Sequence, residues 1–135
     1  TENCNLSYAT IIARYFNADY TLIAHSGRGV VRNYGDSVRI SAVTMKDRML
    51  NTFDMNLDKK WDFKTYKPDL VVVNLGTNDF SGIKTVNELT NIRHNIKAER
   101  VIWILPSNKV HNIQIKEIRY NIFRKLNKDM NLVVC

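Results

Sequence analysis

The sequence predicts an α/β fold built on a parallel, doubly wound sheet of about four visible strands flanked by helices. Two observations carry this expectation. Leu70–Leu75 and Val101–Leu105 are short, almost uninterrupted apolar runs rich in β-branched residues. That is the pattern of strands buried on both faces of a parallel sheet. Around them lie segments with apolar residues at helical spacing, joined by short connections, and strand–helix alternation of this kind builds a parallel sheet.

Each element follows in chain order. Leu6–Phe16 reads as a helix, with Tyr8, Ile11, Ile12, Tyr15 and Phe16 at helical spacing. Tyr20–Ala24 reads as a strand ended by Ser26-Gly27, and Gly27-Arg28-Gly29 as a tight turn where backbone can come close to a ligand. Val38–Phe53 gives a mixed signal, helical around Met45–Leu50. Asn51–Asp69 reads as a long connection. Thr85 and Glu88 are spaced as a capping box, ahead of an apolar face of Val86, Leu89, Ile92 and Ile96. Asn112 can cap a helix with Ile115, Ile118, Ile122 and Leu126 on one face, and Leu132–Val134 is a last strand.

Composition narrows the class. A chain of 135 residues suggests one domain, spanning 1–135, and 44% apolar content excludes general disorder. No apolar run approaches the roughly 18 residues a membrane helix needs, and no secretory signal is visible. Cys4 and Cys135 read as reduced thiols. With His25, His94 and His111 scattered along the chain, they form no metal-ligand spacing, so neither metal nor cofactor is expected. Net charge is +7, and residues 84–128 hold ten Lys/Arg against three Glu, so the whole excess lies there. Such a face can hold an acidic polymer, though it is more commonly a solvated helix surface. Only Trp103, Tyr120 and Phe123 stand among these charges, not the regular aromatic interleaving that a nucleic-acid stacking platform would require.

The most informative stretch is residues 70–80, where an apolar run stops at Gly76 and Asn78 and Asp79 follow at once. Ligands of open α/β sheets gather at the carboxyl ends of strands. An Asn there can aim two N–H donors at developing negative charge. Gly76-Thr77-Asn78-Asp79 resembles the third conserved block of the SGNH (GDSL-type) hydrolases. His25–Asp36, Trp61-Asp62-Phe63 with Pro68-Asp69, and Thr1-Glu2-Asn3 with Leu6–Ala9 are similar to carbohydrate esterase family 2, whose members remove acetyl groups from polysaccharides. The likeness is strong over roughly the first 80 residues. From Ile83 on, only the general helix–strand pattern remains.

The resemblance implies a flavodoxin-like sheet with strand order 2-1-3-4-5 and a serine nucleophile in a Gly-Asp-Ser block after the first strand. It also implies a histidine base near the C-terminus, usually in Asp-x-x-His. It places the oxyanion hole at Asn78 and the N–H of Gly29, with Gly27 next to it because the turn can be aligned in two ways. Asp79 is expected to hold the loop, and His25 to line the pocket. The implied partner is an acetylated polysaccharide or another small ester. This chain departs from the pattern: no Gly-Asp-Ser precedes the matched region and no Asp-x-x-His occurs. The domain is thus expected to be incomplete, with its nucleophile, its base and the central first strand outside the sequence. Neighbouring strands lie about 4.8 Å apart. Without that strand, either Tyr20–Ala24 closes directly onto Leu70–Leu75, or the bare edge pairs with another chain in a homo-oligomer.

Lesser candidates remain. Tyr34-Gly35-Asp36-Ser37 spells the nucleophile block, but Arg32 and Asn33 interrupt the apolar run before it, and it follows the Ser26–Gly29 turn it should precede. Ser37 is therefore a secondary candidate for nucleophile. His111, in the loop after Val101–Leu105, is a secondary candidate for base. His94 falls off its helix's apolar face, and Trp61 and Trp103 read as core. Two functions stand side by side: a serine ester hydrolase with its oxyanion half visible, and an inactive remnant or a binding module for an acidic polymer through residues 84–128.

Overall fold

A computed structural model of the chain describes residues 3–53, 56–79 and 82–104. Helix α1 is Tyr8–Tyr15, the single turn α2 is Met45–Arg48, and α3 is Gly82–Asn95. Strands β1 (Asn51–Phe53) and β2 (Asn56–Lys60) pair antiparallel, and β3 (Leu70–Asn74) and β4 (Arg100–Ile104) pair parallel. The parallel pair runs in unbroken register from Leu70 opposite Arg100 to Asn74 opposite Ile104, with α3 as its crossover. The chain is thus of mixed α/β type.

The core forms where α3 covers one face of this pair. Val73 and Trp103 from the strands meet Leu89, Ile92 and Ile96 from α3, and Val30 and Val31 join them from the bend that follows the glycine turn. Helical spacing explains this, since Leu89, Ile92 and Ile96 share one side of α3. Trp103 is core, as its position inside a strand implies.

Several expectations are corrected. Tyr20–Ala24 has no strand pairing, and among the described residues β3 pairs with β4 alone, so 20–24 does not close onto it. Tyr20, Leu22 and Ile23 are exposed, which removes the burial that would drive such a closure. Leu70–Leu75 is not buried on both faces: Val73 points inward, but Leu70 and Val72 are 47% and 46% exposed. The run is almost uniformly apolar all the same, so here the lack of alternation does not report how many faces are covered. The helix expected at Leu6–Phe16 forms as α1, but its apolar residues stand outward, with Tyr15 82% exposed. Its buried positions are Thr10 and Ala13. Ser7 caps it, accepting from the Thr10 N–H at 3.5 Å.

Thr85 does not start its helix but lies inside the first turn of α3, buried. Part of the supposed connection Asn51–Asp69 is the β1–β2 hairpin, closed at its end by the Trp61 N–H on the Leu50 carbonyl at 2.9 Å. Trp61 is only half-buried, its ring 5.1 Å from that of Tyr66. Cys4 is a free, exposed thiol. No helix among the described residues is long and apolar enough to cross a membrane. His111, the Asn112 cap and its helix face, the Leu132–Val134 strand and Cys135 lie outside the described residues.

Candidate functional site

The site grows from the carboxyl end of β3. After Leu75 the backbone turns at Gly76, whose φ of 112° suits glycine, and delivers Thr77, Asn78 and Asp79 to the rim of the parallel pair. Two consecutive side chains then reach the same distant segment. Asn78 Nδ2 donates to the Gly27 carbonyl at 3.1 Å. The Asp79 carboxylate, 1% exposed, accepts three successive backbone N–H groups: Val30 at 3.1 Å, Val31 at 2.6 Å and Arg32 at 2.9 Å. A buried carboxylate needs such donors, because leaving it bare costs several kcal/mol.

The bend is satisfied from the other side too. The Gly29 carbonyl accepts from the Met45 N–H at 2.8 Å, the Val30 carbonyl from Thr44 Oγ1 at 2.8 Å, and the Val31 carbonyl from the Ser41 N–H at 2.9 Å. Thr44 is also the N-cap of α2, its own N–H donating to Asp47 Oδ2 at 2.8 Å. Every backbone polar group from 29 to 31 therefore has a partner, which allows Val30 and Val31 to be buried completely.

The two glycines of the turn have different roles. Gly27 adopts φ +72° and lines a surface pocket of about 230 Å³ with His25, Arg28, Asn33, Tyr34 and Asp36. Gly29 faces inward: a Cβ there would lie 2.0 Å from the Arg32 carbonyl oxygen and 3.1 Å from Asp79 Oδ2. Its N–H is committed to Asn33 Oδ1 at 3.3 Å.

Behind the pocket lies a polar network. Asn33 Nδ2 donates to Asp36 Oδ2 at 3.2 Å and to the Val43 carbonyl at 3.0 Å, while the Asn33 N–H donates to Ser41 Oγ at 2.9 Å. Ser41 Oγ in turn donates to Asp36 Oδ2. That hydroxyl holds the Asp36 carboxyl below its ordinary range; partial loss of hydration opposes it, and the Asn33 amide with the Arg28 and Arg32 charges reinforces it. Arg32 donates to the Asp36 and Val38 carbonyls, and Arg28 to the Val43 carbonyl at 3.1 Å.

The residues singled out by sequence divide accordingly. Asn78, Asp79, Gly27 and Gly29 are brought together, and His25 reaches the same pocket, its Nδ1 3.1 Å from the Ser26 carbonyl. Ser37 is exposed beyond the Tyr34–Gly35 turn, and His94 is exposed on α3. Sequence reasoning missed Asn33, Ser41 and Thr44. Thr44 and Asp47 carry the three-residue spacing of a cap, but Asn33 and Ser41 had no local signal.

Curated relatives match part of the chain. It is 45% identical over 80 residues to the cellulase/esterase CelE of Acetivibrio thermocellus, covering 59% of this chain and 9% of that protein. It is 37% identical over 102 residues to an acetylxylan esterase/glucomannan deacetylase of Cellvibrio japonicus, covering 75% of this chain and 27% of that protein. A second protein of the same description and organism is 31% identical over 80 residues, covering 58% of this chain and 22% of its own length. The chain thus spans between 9% and 27% of these relatives. No family model matches, and no solved structure matches. The similarities support an esterase family.

Proposed function

We propose that this chain carries the oxyanion side of an SGNH-type serine esterase that removes acetyl groups from a polysaccharide or another small ester, within a single doubly wound domain. The observation that carries the reading is the Asn78 carboxamide, held at a strand rim against Gly27 beside an open pocket. The names of the relatives supply the substrate class. One N–H of Asn78 is engaged by Gly27, and the second is available for an oxygen that gains charge. Gly27 fits the partner role better than Gly29, whose N–H is already bound to Asn33.

In this reaction class a histidine takes the proton of a serine hydroxyl as its oxygen attacks the ester carbonyl and the oxyanion forms. The alcohol leaves with a proton from histidine, and water then releases acetate from the acyl-enzyme. Donors aimed at the oxyanion lower the barrier because they are already in place. The test uses the protein translated from the full reading frame, with a chromogenic acetate and an acetylated xylan. Asn78→Ala is expected to lower kcat about 10²- to 10³-fold with little change in KM, and Ser37→Ala to leave it unchanged. Loss in both variants moves the nucleophile to Ser37. Absence of turnover in the unsubstituted protein ends the esterase reading.

The concentration of the net charge of +7 in residues 84–128 favours one second reading, an inactive module that holds an acidic polymer. It predicts retention on a polyanion that falls steeply with salt and is lost when Lys97, Arg100, Arg119, Arg124 and Lys125 are neutralised.

A further inference from the structure

We infer that Asn33, oriented by Asp36, is a positioning residue that sets the glycine bend against Asn78; its bearing on catalysis rests on the esterase reading above. The Asn33 carboxamide has only one workable orientation. Both partners of its Nδ2, the Asp36 carboxylate and the Val43 carbonyl, can only accept, and the partner of its Oδ1, the Gly29 N–H, can only donate. The group is buried, so each partner matters. Asp36 is fixed in turn by Ser41 Oγ, and Ser41 is tied to the bend through its N–H on the Val31 carbonyl at 2.9 Å. The N–H groups of the bend are therefore held by two side chains: Asp79 takes those of residues 30–32, and Asn33 takes that of Gly29, two residues from the Gly27 carbonyl, which receives Asn78 and the Tyr34 N–H at 2.7 Å. The first anchor fixes where the bend sits. The second fixes how its glycine end faces the pocket.

Reversing polarity on the Nδ2 side alone, without change of shape, is the decisive substitution: an acceptor for the Gly29 N–H is kept, so any loss there reports the orientation that Asp36 imposes. Asn33→Asp sets a carboxylate against Asp36 and the Val43 carbonyl, and the pair Asn33→Asp with Asp36→Asn restores a donor between them. Amide hydrogen exchange is read at Gly29 and Val31, and kcat and KM are measured on a chromogenic acetate. In Asn33→Asp, the Gly29 amide is expected to exchange about tenfold faster or more while Val31, held by Asp79, is unchanged. The double variant should recover part of the protection, since the Val43 carbonyl still meets an acceptor. kcat should fall by about tenfold to a hundredfold with KM unchanged, and recover in part with the double variant. Should Asn33→Asp not fold, Asp36→Ala decides by the same Gly29 readout. Unchanged Gly29 exchange, or equal loss at Gly29 and Val31, overturns the positioning role. Lack of turnover in the unsubstituted protein alongside the expected exchange pattern overturns the esterase reading and leaves the anchor standing.

Discussion

At the residue scale, Asp79 has the largest share of the work. One carboxylate terminates three N–H groups of a segment whose valines are fully buried. Asp79→Ala strands those donors, and since each buried unsatisfied group costs about 1–3 kcal/mol, urea unfolding should show a loss of about 3 kcal/mol or more. Asp36 gives a different signature. Its carboxyl lies below the ordinary range when folded, chiefly because of Ser41, so it favours the folded state whenever it is ionised. That contribution is complete above the unfolded carboxyl value of about 4 and disappears as pH falls through the lower folded value. Melting temperatures of the parent and Asp36→Asn should therefore differ by a constant amount above about pH 5 and converge as the medium becomes more acid. The strand rim with Asn78 and the glycine turn were legible in the sequence because both are short local patterns. Asn33 and Ser41 were not, because a polar side chain that meets its partner across a loop leaves no periodic trace.

At the scale of elements, the parallel pair and its crossover helix are the stable unit. Leu89 is 1% exposed at the contact of α3 with Val73 and Trp103. Leu89→Ala should cost about 2–5 kcal/mol by chemical denaturation. Val72→Thr, on the outward face of the same sheet, should stay within about 0.5 kcal/mol. The contrast tests which face of β3 is covered, the point on which the sequence misled. β3 and β4 were legible because their β-branched runs match their pairing. The β1–β2 hairpin was not: Asn51–Lys60 lacks regular alternation, and its pairing register is itself broken between Asn51 and Phe53.

At the scale of the whole molecule, burial among the described residues is concentrated rather than spread. Among the described residues the main core cluster joins the bend, β3, β4 and α3, and the buried positions of α1, Thr10 and Ala13, lie outside it. Helix α1 reaches β3 through the hydrogen bond from Asn74 Nδ2 to the Tyr8 hydroxyl at 3.1 Å, which is exposed. Regions with few buried apolar contacts open below the global unfolding free energy. Native-state exchange should accordingly show α1 amides opening well before those of β3 and β4, and equal protection throughout would refute this division. The bend itself has the opposite character. Residues 27–32 are shaped by Asn78 and Asp79 from 47 to 51 positions along the chain. It follows that this loop is not a transplantable part. A synthetic peptide covering it will be shapeless, and an engineer who wants its geometry in another scaffold must carry both distant stretches across together.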